Sequence, residues 1–160
     1  MPGLMQCLNA TFHVTGPSGS RTIPAREFYE SAYLTAREDD EILTAVSFDA
    51  PTGGQAYEKQ KRKIGDYATA AAAVILTRSG DRCTTASIAM TNLSDTPIWA
   101  EAAGEALVGT ACNEDAVIAA ITAMQAAIDP SEDNRGPVEF KRHAAGIILA
   151  RAIARAWSRA

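Results

Sequence analysis

Apolar and polar positions alternate in the first third of the chain and fall at helical spacing in the last third. Ala10-Thr11-Phe12-His13-Val14-Thr15 mixes β-branched and aromatic residues and runs into the turn cluster Gly16-Pro17-Ser18-Gly19. Arg21 to Pro24 comes next, so the pair predicts a β-hairpin. Ala25 to Tyr29 fits a single helical turn. Glu41 to Phe48 is the clearest strand: strict alternation puts Ile42, Thr44, Val46 and Phe48 on one face and Leu43, Ala45 and Ser47 on the other. Asp49-Ala50-Pro51-Thr52-Gly53-Gly54 then breaks the chain, and a boundary between two structural regions is expected there.

Ala68 to Thr77 is ambiguous by propensity, since its alanines favour helix while Val74-Ile75 favours strand. The turn Arg78-Ser79-Gly80-Asp81 and the β-type run Cys83 to Ile88 favour a buried strand hairpin. Helical signals dominate from residue 100. Ala100 to Val108 is closed by Gly109 in the C′ position. Asn113 is a good N-cap, with Glu114 and Asp115 in the first turn. That helix should run to about Ile128, with Val117, Ile118, Ile121 and Met124 as its apolar stripe. Gly136-Pro137 opens a last helix that presents Phe140, Ile147, Ile148 and Trp157, with Arg151, Arg155 and Arg159 near its C-terminal end. Strands followed by helices predict an α+β fold: an antiparallel three- to four-stranded sheet packed against a bundle of about three helices, preceded by a small β-rich unit.

Composition narrows the functional classes. The 160 residues are 47% hydrophobic and 21% charged, with a formal net charge of −4. That balance supports a packed core and argues against a dedicated nucleic-acid binder. No apolar run approaches the roughly 20 residues of a membrane helix. Alanine fills 32 positions, far more than any other residue type. Cys7, Cys83 and Cys112 form no C-x-x-C pair, so reduced, packed thiols are expected rather than a metal site. His13 and His143, the only histidines, read as bland residues and leave no support for a hydrolase triad. The acidic run Glu38-Asp39-Asp40-Glu41 lacks calcium-loop spacing and reads as a solvated loop.

One stretch carries candidate chemistry. Lys59, Lys61, Arg62 and Lys63 form the only concentrated basic patch. Such a patch either faces a phosphate, a flavin edge or an acidic partner, or is a lysine-rich edge that discourages strand aggregation. The adjoining Gly65-Asp66-Tyr67 adds a flexible backbone position and a flat ring suited to stacking on a heterocycle. No Walker loop, Rossmann fingerprint or nucleophile elbow is present.

The segment from Tyr57 to Val74, YEKQKRKIGDYATAAAAV, closely resembles the medium, FAD-binding subunits of aerobic molybdenum-containing carbon monoxide dehydrogenases, flavoproteins of the xanthine oxidase family. Further similarity lies in Ala86-Ser87-Ile88, in Thr96-Pro97-Ile98-Trp99-Ala100-Glu101 and in Asp133 to Lys141, DNRGPVEFK. Arg26-Glu27-Phe28 and Glu41-Ile42-Leu43-Thr44 are similar to the end of the family's second FAD subdomain. The resemblance covers nearly the whole chain. It implies a division into residues 1–52, the C-terminal remnant of that subdomain, and 53–160, the flavoprotein C-terminal domain.

The resemblance also implies a function. Members pass electrons from the iron–sulfur clusters of a small subunit to FAD and on to an external acceptor, while a large molybdenum subunit oxidises the substrate. Flavin contacts would fall on Leu43, Lys59, Asp66 and Tyr67, with no catalytic residue and no metal in this chain. Leu43 would pack against the cofactor, Lys59 would offer a charge beside it, and Tyr67, next to Asp66, would cover its ring. Localisation would be cytoplasmic, peripheral to the inner membrane face where the complex attaches there. Members carry a longer N-terminal portion whose two glycine-rich loops supply most of the FAD affinity. Neither loop lies in these residues, so the chain reads as the C-terminal part of a subunit that is inactive by itself. The alternatives are a non-catalytic assembly domain that binds no flavin, and the medium subunit of a related aldehyde or heterocycle hydroxylase.

Overall fold

A computed structural model describes all 160 residues. The chain opens with helix α1 (Pro2–Cys7), too short to show a period in the sequence but started by a proline at its first position. Strands β1 (Thr11–Gly16) and β2 (Gly19–Pro24) form the expected hairpin, and α2 (Ala25–Phe28) is the expected single turn. A small hairpin of β3 (Tyr29–Ser31) and β4 (Leu34–Thr35) was not visible in the alternation. Strand β5 (Ile42–Ser47) pairs antiparallel with β1, giving the sheet order β2-β1-β5.

The β1–β5 register shifts between His13 and Val14, so Val14 opposes Leu43 while Phe12 opposes Val46. Thr44 is the extra residue, and its Oγ1 donates to the His13 carbonyl at 3.0 Å. This bulge corrects the expected two-face alternation: Leu43 and Val46 share the side of Phe12 and Val14. All six residues of β5 are nevertheless exposed. The core of this unit lies beyond them, where the Phe12 and Phe28 rings stack at 4.2 Å and Met5 and Ile23 close the cluster.

The second sheet holds β6 (Gly54–Gln60), β7 (Ala70–Ser79), β8 (Arg82–Thr91) and β9 (Ile98–Trp99) in that order, all antiparallel. The ambiguous alanine segment is therefore strand β7, paired on both edges. One face carries α3 (Glu101–Glu105), α4 (Glu114–Ala127) and α5 (Val138–Trp157), as the α+β reading expected. Ala70, Ala72, Val74 and Leu76 meet those helices in one core cluster. Ala73 and Ala89 point the other way and receive α1 through Cys7. Small side chains permit this: a Cβ on Gly54 would collide with the Ala156 carbonyl of α5, and one on Gly104 would lie 2.6 Å from the Ala86 carbonyl of β8.

Three helix details differ from the periodicity. Helix α3 stops at Glu105 and the chain continues through tighter turns, with Leu107 and Val108 donating to Gly104 and Glu105, before Gly109 turns at φ +81°. Asn113 caps α4 as expected, accepting from the Ala116 N–H at 3.2 Å. Its buried face, however, is Ala116, Ala120 and Met124, while Ile118 is 54% exposed. In α5 Pro137 is the N-cap rather than the first helical residue, so the helix starts one position later than expected, and Ala144, Ile148, Leu149, Ala152 and Ile153 are buried while Phe140 and Ile147 are exposed. The buried faces mix alanine with Met124, Ile148, Leu149 and Ile153, and this mixture fills the space against the sheet without Ile118, Phe140 or Ile147. No helix is long and apolar enough to cross a membrane.

Polar contacts tie α1 and α2 to the second sheet. The Ser87 hydroxyl donates to the Cys7 carbonyl at 2.7 Å, and buried Gln6 donates to the Pro97 carbonyl at 3.3 Å. The Arg26 guanidinium lies 3.3 Å from the centre of the Trp99 ring. Burial pushes the Cys7 thiol up to about 11 and raises Cys83 and Cys112 as well, so all three free cysteines are protonated packing groups at neutral pH. Gly54→Ala tests the close approach of β6 to α5. It should cost about 1–3 kcal/mol of overpacking in urea denaturation, and an unchanged midpoint would contradict this packing.

Candidate functional site

Strand β6 alternates between two environments. Gly54, Ala56 and Glu58 face α5, where Glu58 pairs with Arg155 at 2.5 Å. Tyr57 and Lys59 face the opposite side, registered against Ala73 and Ala71 of β7. Alanine there leaves the tyrosine ring and the ammonium standing clear of the sheet, with Tyr57 45% exposed. The Lys59 ammonium enters none of the ion pairs.

Past Gln60 the chain leaves the sheet and returns where the Thr69 N–H donates to the Gln60 carbonyl at 2.8 Å. Gly65 turns this loop at φ +82° with open space where a Cβ would stand, so its glycine serves the backbone angle rather than a close approach. Asp66 organises the returning half of the loop. Its Oδ2 accepts from Arg62 Nε at 3.1 Å, and its Oδ1 accepts from the Tyr67 N–H at 2.9 Å and lies 3.6 Å from Arg135 Nη2. The Arg62 hydrogen bond, with its charge, holds the Asp66 carboxyl below the usual range. Tyr67 is fixed at the backbone yet leaves its ring 76% exposed.

Lys59 and Tyr67 open onto one cavity of about 420 Å³. Tyr57, Ala68, the Met1-Pro2 start of α1 and the β8–β9 loop from Thr91 to Pro97 complete its walls. That loop is held from below by fully buried Leu93, whose carbonyl accepts from the Asp129 N–H at 2.9 Å, and Asn92 turns it at φ +66°. The walls thus offer two aromatic faces, the unpaired Lys59 ammonium, the Asp95 carboxylate, and the hydroxyl and amide groups of Thr91, Asn92, Ser94 and Thr96. An apolar groove of about 430 Å³ lies between α1 and β6, but its one charged wall residue, Arg159, is committed to the Gln55 carbonyl at 2.7 Å.

Two of the four residues expected from the resemblance therefore meet in one place. Asp66 stands behind them as a loop anchor and does not line the cavity. Leu43 sits on β5 in the other sheet, 41% exposed, and lines neither cavity. Tyr57 and the 91–97 loop were missed. Tyr57 was within reach, because an i, i+2 pair on a strand shares a face with Lys59. The acidic run folds its own loop: Glu41 forms a fork with Arg21 at 2.7 and 2.8 Å, which draws its carboxyl down to about 2. His13 bonds the Ser47 hydroxyl at 2.8 Å. No group of three or more His, Cys, Asp or Glu is placed to hold a metal ion.

Residues 55–156 match the model of the CO dehydrogenase flavoprotein C-terminal domain, and residues 1–51 match that of the FAD binding domain in molybdopterin dehydrogenase. The carbon monoxide dehydrogenase medium chain of Afipia carboxidovorans is 54% identical over 162 residues, which is 100% of this chain and 56% of the relative. Among solved structures, reconstituted CO dehydrogenase from Oligotropha carboxidovorans superposes with a TM-score of 0.98 at 52% identity, over 100% of this chain and 57% of that one. Quinoline 2-oxidoreductase from Pseudomonas putida 86 superposes with a TM-score of 0.93 at 30% identity, over 99% and 55%. The chain thus spans a little over half the length of these relatives.

The Asp66 clamp predicts a pH response at the cavity. A lowered folded-state pKa contributes order that is complete above the unfolded value, about 3.9, and is lost as pH falls through the lower folded value. Tyr67 ring resonances should therefore stay constant through the ordinary carboxylate range and move only at more acid pH. Arg62→Ala should shift that transition upward, and a wild-type transition at the ordinary carboxylate value would contradict the clamp.

Proposed function

The chain belongs to the CO dehydrogenase flavoprotein C-terminal domain family, and from that premise we propose that it is the C-terminal part of the FAD-carrying, electron-transferring subunit of a carbon monoxide dehydrogenase. In this reading residues 1–52 close the FAD-binding region and 53–160 form the C-terminal domain. A small iron–sulfur subunit delivers electrons and a large molybdenum subunit oxidises CO. The complex works in the cytoplasm, peripheral to the inner membrane face where it attaches.

The observation that carries the reading is the meeting of Tyr57, Lys59 and Tyr67 around one polar cavity. These residues fit a flavin. Exposed tyrosine rings suit offset stacking on a flat heterocycle, and a free ammonium suits the electron-rich edge of such a ring or a phosphate. Bound FAD would supply the redox chemistry, accepting electrons and passing them to an external acceptor. This chain's own residues would orient it: Tyr67 covers one face and limits water, Lys59 places positive charge at its edge, and Asp66 fixes the Tyr67 backbone. Leu43 joins this set on family resemblance alone. Quinoline 2-oxidoreductase shares the fold, so substrate choice would lie outside this chain; the much higher identity to the carbon monoxide dehydrogenase medium chain favours CO over a heterocycle.

Tyr67→Ala in the full-length subunit tests the reading. Losing one stacking partner should weaken FAD binding about tenfold, from about 1.4 kcal/mol of ring contact. The flavin absorbance bands and reoxidation rate should shift while the melting temperature holds. Unchanged flavin spectra and reoxidation would overturn the proposed wall. A full-length protein that takes up no FAD at all would favour a non-catalytic assembly role.

A further inference from the structure

The loop that presents Tyr67 is tied to a distant part of the chain, the turn ahead of α5. Lys141, in the first turns of that helix, has its ammonium almost fully enclosed, with its side chain 4% exposed. It pairs with Asp133 Oδ1 at 2.9 Å and donates to the Ser131 carbonyl at 2.6 Å. Asp133 in turn accepts from the Arg135 N–H at 2.8 Å, and its carboxyl is held below the usual range, chiefly by the Lys141 hydrogen bond. A short bridge between Asp133 and Gly136 closes the turn. Arg135 is thus fixed at its backbone by a carboxylate that is itself fixed from inside the helix.

Its guanidinium is aimed at the Tyr67 loop. Arg135 Nη2 lies 3.6 Å from Asp66 Oδ1, the oxygen that accepts from the Tyr67 N–H. The same guanidinium lies 5.7 Å from the Tyr67 ring centre, within cation–π range. Arg62 completes the tie by donating to the Asn134 carbonyl at 3.3 Å. Only 19% of the Arg135 side chain is exposed, so it works under little solvent screening for a surface arginine.

We propose that Arg135 is a positioning residue, which clamps Asp66 from outside its own loop and thereby sets the orientation of the Tyr67 ring at the cavity mouth. The proposal deepens the flavin reading and rests on it for its consequence, but the clamp itself is a property of this chain. Arg62 reinforces the tie through the Asn134 carbonyl but belongs to the same loop as Asp66, whereas Arg135 reaches Asp66 from the turn ahead of α5 and refers the carboxylate itself to that helix. The chain of contacts Lys141–Asp133–Arg135–Asp66 therefore converts the rigidity of a helix into the rigidity of an exposed ring.

Limited trypsin digestion of the full-length, FAD-free subunit tests the clamp, because Lys61 and Lys63 are exposed scissile sites within the loop. Arg135→Gln should raise cleavage there several-fold, with the melting temperature and cleavage at other sites unchanged. Asp66→Asn, which also weakens the Arg62 pair, should raise cleavage at least as much, and the double variant should be cleaved no faster than Asp66→Asn alone, since that variant has already lost the Arg135 contact. Unchanged cleavage in Arg135→Gln, or additive effects in the double variant, would overturn the proposal. In the FAD-loaded subunit, Arg135→Gln should also shift the flavin absorbance and midpoint potential. Faster cleavage with unaltered flavin properties would uphold the clamp and count against the flavin wall, so the two failures are separable.

Discussion

The structure depends on how closely backbone can approach backbone across the second sheet. Strand β7 is loaded with alanine on both faces, so α5 seats against one side and α1 against the other. Small residues let the layers approach closely at points such as Gly54 against the Ala156 carbonyl, while Val74, Leu76, Ile148, Leu149 and Ile153 fill the space between them. The consequence reaches the cavity. Because Ala71 and Ala73 stand opposite Lys59 and Tyr57, those two side chains clear the sheet surface and have nothing to collapse upon. A bulkier β7 would cover them. The packing that stabilises the core is also what exposes Tyr57 and Lys59.

Charge does a second job, at the loops. Asp66, Asp133 and Glu41 all lie below their usual carboxylate range, each chiefly through a hydrogen bond from a cationic partner. None of them faces the cavity of Tyr67 and Lys59. They hold irregular chain in fixed shapes, while Lys59 remains unpaired. Lys59 is solvated and uncommitted to any carboxylate, so its charge is available to a ligand, and the flavin reading gives it a partner.

Much of this was legible in the sequence. The β1–β2 hairpin, the α2 turn, the β7–β8 hairpin and the Asn113 cap arise from turn residues and capping chemistry, which act over a few positions. The hidden features depend on contacts distant in sequence. The Thr44 bulge moves Leu43 to the side of Val46, and a period-two pattern cannot reveal it. Ile118, Phe140 and Ile147 point outward although they are large and apolar, because the faces of α4 and α5 that meet the sheet are filled by alanines together with Met124, Ile148, Leu149 and Ile153. At the site, Lys59 and Tyr67 were readable from charge, ring and family resemblance. The 91–97 wall and Arg135 were not, since only the fold brings them to that loop.

The most direct test of the central claim is nuclear magnetic resonance of tyrosine rings in the full-length subunit, recorded with and without FAD. The four tyrosines of these 160 residues include Tyr33, fully exposed on the β3–β4 turn and outside the cavity, which serves as an internal control. Ring-current shifts should appear on Tyr67 and Tyr57 when FAD is added, while Tyr33 stays in place. Shifts absent from Tyr67, or equal on Tyr33, would contradict a flavin seated against this wall.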